Sequence, residues 1–350
     1  MKNFYTSALL LLVSSLTFAQ QPYYNNIDFS QNGAALKQAL ATKITNTHTK
    51  NLSYEQIWSA LKVVDENPDN SSQVLLIYGH PGVTTGQYSR TRAKNSNGGN
   101  NGQWNREHTY AKSLGTPDLG QSGPGADAHH LRASDVQWNN SRGNQKYAAG
   151  SGNSGNVSGG WYPGDEWKGD IARMMMYMYL RYGDRCKPTN IGPGPASNAI
   201  NDDMIALFLQ WNAEDPVSEV EDQRNAYLGN AANSYGQGNR NPFIDNPYLA
   251  TKIWGGQPAE DRWGTLSNEN IEKLDFSIYP NPSNNGSFTI SSEEEMLSLA
   301  VYAIDGRLIT SKNETIAPNT AITFNNLSSG VYLVEVKGND KKAVKKLLVK

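Results

Sequence analysis

The chain has 350 residues, 37% of them hydrophobic and 18% charged, enough to build one large core and a smaller one. A formal net charge of −2 gives no bulk signal of a nucleic-acid partner, and a single cysteine, Cys186, excludes an intrachain disulfide. Stability must come from packing or from bound metal.

The first residues read as a signal peptide, 1–19. Lys2 supplies the positive end, Ala8 to Phe18 the apolar run, and Thr17-Phe18-Ala19 a small-x-small cleavage site. The run is short for a bilayer span, and no later stretch reaches 18 apolar residues. A soluble, exported product is expected.

Gly33 to Thr47 and Ser53 to Val64 show helical apolar spacing through Leu36, Leu40, Ile44 and through Ile57, Leu61, Val64. Gln73 to Tyr78, QVLLIY, has strand character. Residues 81–103, 115–126 and 150–160 are Gly/Asn/Ser/Pro-rich and predict loops. Between them stand WNREHTYAKS and DAHHLRASDVQWNNSRGN. Asp165 to Tyr182 predicts the strongest helix, with Ile171, Met174, Met175, Met178 and Tyr179 as a core-facing stripe and Gly183 as its stop. Asp202 to Trp211 predicts a further helix. Residues 237–254 alternate turn signals with aromatics, a pattern expected of a segment wrapping the surface. A linker is read at 257–274. Short β-like runs separated by PNPSNNG, DGR and LSSG turns follow, an all-β sandwich at 275–350.

Chemistry concentrates in one stretch. Of five histidines, His80, His108, His129 and His130 fall within about fifty residues. Between Ile77 and Tyr147 eight Lys/Arg face four Asp/Glu, a local positive excess that suits a phosphate-bearing ligand. Glu107 beside His108 offers a metal ligand and a base that is neutral near pH 7. Asp127, His129 and His130 raise a zinc alternative, although strand alternation would turn the two imidazoles to opposite faces. Asn139-Asn140-Ser141-Arg142 offers a hard amide oxygen for Mg²⁺ in what otherwise reads as a turn; one Glu and one Asn suffice for an ion that keeps most of its waters.

REH at 106–108, DAHHLRASD at 127–135 and NNSRGN at 139–144 resemble the bacterial endonuclease I family of extracellular and periplasmic nucleases. So do WKGDIARMMMYMYLRYG, WNAEDPVSEVEDQRN and QGNRNPFIDNPYLATKIW, in family order across most of residues 25–256. The resemblance implies an α+β fold, a mainly helical mixed domain (20–256) with an embedded ββα-metal nuclease core. It implies a metal-binding carboxylate at Glu107, a general base at His108 and a metal-binding amide at Asn139, three residues before Arg142. The cofactor implied is Mg²⁺, with Mn²⁺ or Ca²⁺ as substitutes; the substrate is DNA and RNA without base specificity. Residues 109–126 contain no Arg to hold phosphate, only Lys112, which leaves Arg106, Arg132 and Arg142 as candidates. Asp127, His129 and His130 are expected to support the site. Ala133 stands where family members often have Pro.

IYPNPSNNGSFTI, VYAIDGRLI and LSSGVYLVEVKG with the basic end KKLLVK resemble the C-terminal sorting domain of type IX secretion. That implies contact with the secretion machinery and a secreted or surface-attached product. Two rivals remain open: a zinc phosphoesterase built on His129 and His130, and a non-catalytic surface protein that binds nucleic acid.

Overall fold

A computed structural model describes residues 22–264, 274–304, 307–339 and 341–350. The signal peptide at 1–19 and most of the linker's second half lie outside the described residues. The chain divides into two compact units after Gly264.

In the first unit the order is α1 (Gly33–Thr47), α2 (Gln56–Val64), β1 (Glu66–Asn67), β2 (Asn70–Leu75), β3 (Thr91–Ala93), β4 (Trp104–His108), β5 (Leu131–Asp135) and α3 (Val136–Arg142). Then come β6 (Gly155–Val157), β7 (Gly160–Tyr162), α4 (Lys168–Tyr182), α5 (Pro188–Ile191), α6 (Ala206–Glu214), α7 (Glu219–Leu228), α8 (Pro242–Asp245) and α9 (Tyr248–Trp254). The strands form three small sheets, β1-β2-β3, β4-β5 and β6-β7.

Helix α1 buries Leu36, Leu40 and Ile44, one residue per turn on one face. The expected start of α2 at Ser53 is a reciprocal cap: Ser53 Oγ accepts from Gln56 N at 3.2 Å and Gln56 Oε1 from Ser53 N at 2.8 Å. Helix α4 is buried on every side from Gly169 to Leu180, so its methionines are core, packed with α1, α6 and α9 in the largest apolar cluster. It starts three residues later than expected because Asp165 is a loop acceptor for Gly152 N at 2.8 Å and for the Tyr162 hydroxyl. Gly183, at φ 53°, ends it in the left-handed region. Helix α6 likewise starts at Ala206 rather than Asp202, whose carboxylate is held by Lys37 and Trp254.

Three expectations are corrected. The strand read at 73–78 ends at Leu75, and the chain turns so that Tyr78 has φ 69°. Asn139 to Arg142 is not a turn but the last part of α3, capped by Asp135, whose carboxylate accepts from Gln137 N and Trp138 N at 2.8 and 3.0 Å. Residues 237–254 do not wrap the surface. Gln237, Asn239, Asn241 and Asn246 are fully buried, and their amides tie the interior together. Asn241 Nδ2 donates to Arg173 O at 3.0 Å, and Gln237 joins Asp127 Oδ1 and Ala128 N at 2.9 and 2.8 Å.

The second unit carries β8 (Ser277–Tyr279), β9 (Phe288–Ser291), β10 (Ser298–Ala303), β11 (Leu308–Lys312), β12 (Ile322–Phe324), β13 (Gly330–Lys337) and β14 (Lys342–Val349). The pairings between these strands are antiparallel, in a four-stranded sheet β11-β10-β13-β14 and a three-stranded sheet β12-β9-β8, with one isolated parallel bridge between Ser283 and Val349. Alternate residues Tyr332, Val334 and Val336 of β13 enter one core with Phe288, Ile290, Leu299, Val301 and Leu347. That is the sandwich the alternation predicts.

Candidate active site

Strand β4 pairs antiparallel with β5, setting Glu107 opposite Arg132 and His108 opposite Leu131. Helix α3 follows β5 without a loop and packs on both strands. This brings Arg106, Glu107 and His108 to the same cavity as Asn139 and Arg142. The cavity measures about 270 Å³, and Lys112, Ser113, Asp118 and Asn144 complete its rim.

Glu107 is 3% exposed. Its Oε1 accepts from the Tyr78 hydroxyl at 3.0 Å and lies 3.4 Å from Arg142 Nη1. Burial pushes its carboxyl up to about 7, against the opposite pull of Arg142 and Tyr78. Asn139 Nδ2 donates to Asn105 Oδ1 at 2.6 Å, which leaves the amide oxygen as its other polar end.

His108 is 7% exposed. Gly125 O is a pure acceptor 2.9 Å from Nε2, so Nε2 carries the proton and Nδ1 the lone pair. Burial, and then the neighbouring His130, lowers the imidazole to about 3, so it is neutral at physiological pH. Tyr54 stacks on its ring with centroids 5.4 Å apart. The Arg106 guanidinium lies 3.7 Å from the Tyr54 ring centroid and 4.1 Å from that of Trp58.

The residues expected to support the site, Asp127, His129 and His130, are buried and do not line the cavity. His129 and His130 lie in a turn, not in a strand, and bond different carbonyls, Asn239 O at 2.9 Å and Pro124 O at 2.7 Å. Burial lowers both to about 4. Asp127 accepts from the hydroxyls of Tyr177 and Tyr182, each at 2.8 Å. Burial works to raise its carboxyl, but His48, His129 and its hydrogen bonds hold it well below the usual range. Among the described residues no group of three or more His, Cys, Asp or Glu is placed to hold a metal. His80 lies apart from the cavity, bonded to Ser154 and stacked on Tyr88.

The three candidate arginines part company. Arg106 reaches the cavity. Arg142 lines it but is 1% exposed and donates to the carbonyls of His108, Gly143 and Thr109. Arg132 does not reach it, which corrects the expectation of a phosphate contact. Strand β5 is buried along its whole length, and Arg132 is enclosed between Asp65 at 2.7 Å and Asp170 at 2.8 Å.

Arg132 belongs to a buried charge network that the sequence reading missed. Arg224 joins Asp65 and donates to the carbonyls of Ala128 and Leu131 at 2.7 and 2.9 Å. Arg173 grips Glu221 through two bonds of 2.6 and 2.7 Å. Asp65 Oδ2 accepts from Ala133 N at 2.7 Å, a bond that a proline at 133 has no N–H to make. The network clamps β5 from α4, α7 and the end of α2.

Residues 32–248 match the family described as Endonuclease I. The chain belongs to the endonuclease I family. An extracellular ribonuclease of Bacillus amyloliquefaciens is 40% identical over 258 residues, covering 71% of this chain and 82% of that protein. The extracellular ribonuclease of Bacillus subtilis (strain 168) is 41% identical over 259 residues, 71% and 84% of the two chains. Residues 277–350 match the secretion system C-terminal sorting domain. A solved structure of the sulfur carrier protein SoxY from Chlorobium limicola f thiosulfatophilum covers 25% of this chain and 94% of its own at 13% identity and a TM-score of 0.16, which carries no argument.

The endonuclease I chain is thus a nuclease, a hydrolase of phosphodiester bonds, secreted or held at the cell surface. Its tail implies export by type IX secretion. No helix among the described residues is long and apolar enough to cross a membrane. Asn105, Tyr54 and Tyr78 also shape the site and were not singled out in the sequence. Only Asn105, two residues before Glu107 on β4, had a local signal.

Proposed function

We propose that the chain is a sequence-tolerant endonuclease acting on DNA and RNA, with β4, β5 and α3 as a ββα-metal unit. The observation that carries this reading is the commitment of His108 Nε2 to Gly125 O. It leaves Nδ1 as the lone-pair nitrogen of a ring that lines one cavity with Glu107 and Asn139.

The donor set fits a hard divalent cation, Mg²⁺ with Mn²⁺ or Ca²⁺ as substitutes. A residue with a carboxylate and one with an amide oxygen line one cavity, and Mg²⁺ takes few protein ligands. Glu107 and Asn139 would hold it. When bound, it supplies positive charge for the phosphate and the leaving oxygen. His108 accepts the proton of the attacking water at Nδ1. An anionic phosphate nearby raises the basicity of the buried ring. Gly125 O holds the imidazolium that results, as in any base fixed by a second acceptor. Arg106 and Lys112 are the cations on the cavity wall that meet the phosphate backbone, which carries no base information. The name borne by the two Bacillus relatives favours RNA among the substrates. Nothing observed favours zinc: His129 and His130 are spent on separate carbonyls.

The test is incubation of the full protein with supercoiled plasmid and with RNA, in Mg²⁺ and in EDTA, beside His108→Ala and Asn139→Ala. Cleavage by the wild type alone, stopped by EDTA, is the expected result. Undiminished cleavage by a folded His108→Ala protein overturns the base assignment, and binding without cleavage in every cation favours the non-catalytic rival.

A further inference from the structure

Tyr78 has a backbone that a tyrosine rarely adopts. Its φ of 69° lies in the left-handed region, where a bulky side chain is a true outlier. Such strain persists only where the surroundings over-determine it, and it gathers at functional sites. Here the surroundings do so. Ser154 Oγ donates to Tyr78 O at 2.6 Å, Gly79 N to Leu76 O at 2.9 Å, and Trp167 Nε1 to Gly79 O at 2.9 Å. The neighbouring Gly79 is also required, because a Cβ there would stand 2.5 Å from the Arg90 Cα.

The strained turn has one evident product. It carries the phenol of Tyr78, fully buried, to 3.0 Å from Glu107 Oε1 and 2.7 Å from the Tyr147 hydroxyl. Tyr147, also fully buried, donates to Thr109 O at 2.9 Å. The pair therefore spans from Glu107 to the backbone immediately after His108. Arg142 closes the other side, 3.4 Å from the same Oε1 and bonded to the same Thr109 carbonyl at 2.8 Å. Both contacts fall on Oε1 of Glu107, which fixes the rotation of the carboxylate.

We propose that Tyr78, backed by Tyr147, is a positioning residue for the Glu107 carboxylate, and that the left-handed turn at Tyr78 is kept to place its hydroxyl there. The inference rests on the reading of Glu107 as the cation ligand. A ligating carboxylate whose rotation is fixed beforehand loses less freedom when a cation arrives, and outer-shell partners of this kind contribute about 10–100-fold to affinity. The role is distinct from catalysis: neither tyrosine lines the cavity, so their loss acts through the cation.

Tyr78→Phe keeps the ring, its packing against Trp161 and the backbone turn, and removes only the hydroxyl. The full-length protein, stripped with EDTA, is titrated with Mn²⁺ by calorimetry as wild type, Glu107→Ala, Tyr78→Phe and Tyr147→Phe. Nucleolytic KM and kcat are then measured at saturating Mn²⁺. The expected result is no Mn²⁺ binding by Glu107→Ala and about 10–100-fold weaker binding by Tyr78→Phe. Tyr147→Phe should show a smaller loss, with KM for nucleic acid unchanged in both phenol variants. Wild-type Mn²⁺ affinity in both folded phenol variants, with Glu107→Ala still unable to bind, overturns the positioning role and leaves the ligand assignment standing. Mn²⁺ binding by Glu107→Ala at wild-type strength overturns the ligand assignment itself. A raised KM in Tyr78→Phe at saturating Mn²⁺ also overturns the proposal, because it places the phenol on the substrate path. Should Tyr78→Phe not fold, Tyr147→Phe decides between the same outcomes.

Discussion

The two units solve the problem of a core in opposite ways. The sorting unit buries phenylalanine, valine, isoleucine and leucine between two sheets, and its buried polar residues among those described are Ser283 and Ser292. The nuclease unit buries four complete arginines, Arg132, Arg142, Arg173 and Arg224, together with Asp65, Asp127, Asp170, Glu107 and Glu221. Burying charges gains little net stability, because desolvation consumes most of the mutual attraction. What the arrangement does provide is fixed position. Arg224 and Asp65 hold β5 by the Leu131 carbonyl and the Ala133 N–H, Arg224 also holds the turn before it by the Ala128 carbonyl, and Arg142 holds the backbone of β4's end. Keeping Glu107, His108 and Asn139 on the wall of one cavity requires such positioning. A module read by a secretion apparatus needs a stable fold and a surface.

The largest effect is expected from His108→Ala, which should lower turnover of plasmid or RNA by about 10²–10⁴-fold while amide exchange in the sorting unit stays unchanged. Next comes Arg132→Met. It leaves Asp170 without its arginine at the β5 end of the network and should destabilise the nuclease unit by about 3–5 kcal/mol, read from urea unfolding followed by tryptophan fluorescence. A neutral or stabilising outcome would show that the network's charges are not needed to hold β5. In the sorting unit, Leu347→Ala should cost about 2–5 kcal/mol locally by opening a cavity between the sheets. Hydrogen exchange should report that loss in β13 and β14 alone, with turnover unchanged.

Smaller but direct is the protonation of the buried histidines. Burial disfavours the charged imidazole, so the shift is downward: His129 and His130 to about 4 and His108 to about 3. Their NMR ring signals should therefore stay flat from about pH 8 to pH 5, where an exposed histidine titrates near about 6.5. A midpoint near 6.5 for His108 would mean that its ring is open to water. The smallest effect belongs to the surface of the sorting unit. Lys312 and Glu314 form an ion pair with both side chains exposed, so Lys312→Ala should leave its thermal stability unchanged within error.

Where the sequence reading succeeded, the signal was local. Alternation in GVYLVEVKG gave β13, because it reports which side faces a core, and the apolar run ARMMMYMYL gave α4, although that helix is buried on every side rather than along one stripe. Where it failed, distant residues decided. QVLLIY reads as a strand to its end, yet Tyr78 leaves the strand to meet Glu107, 29 residues away. Asn-rich 237–246 reads as surface, yet its amides find buried partners on Asp127, Arg173 and Tyr177. Arg132 reads as a candidate phosphate contact because residues 109–126 hold no Arg. Asp65 and Asp170, 67 and 38 residues away in the chain, neutralise it instead.

By itself the sequence determined the two-part architecture, the exported character and the identity of the chemical groups near the site. Apolar period, turn residues and the clustering of Glu107, His108 and Asn139 are properties of short segments. The tertiary structure decided which groups share a cavity, which nitrogen of His108 keeps its proton and which arginines line that cavity. Those outcomes depend on hydrogen bonds between segments far apart in the chain. Burial makes each such bond costly to omit, so partners such as Gly125 O and Asp65, rather than residue type, set the role of each side chain.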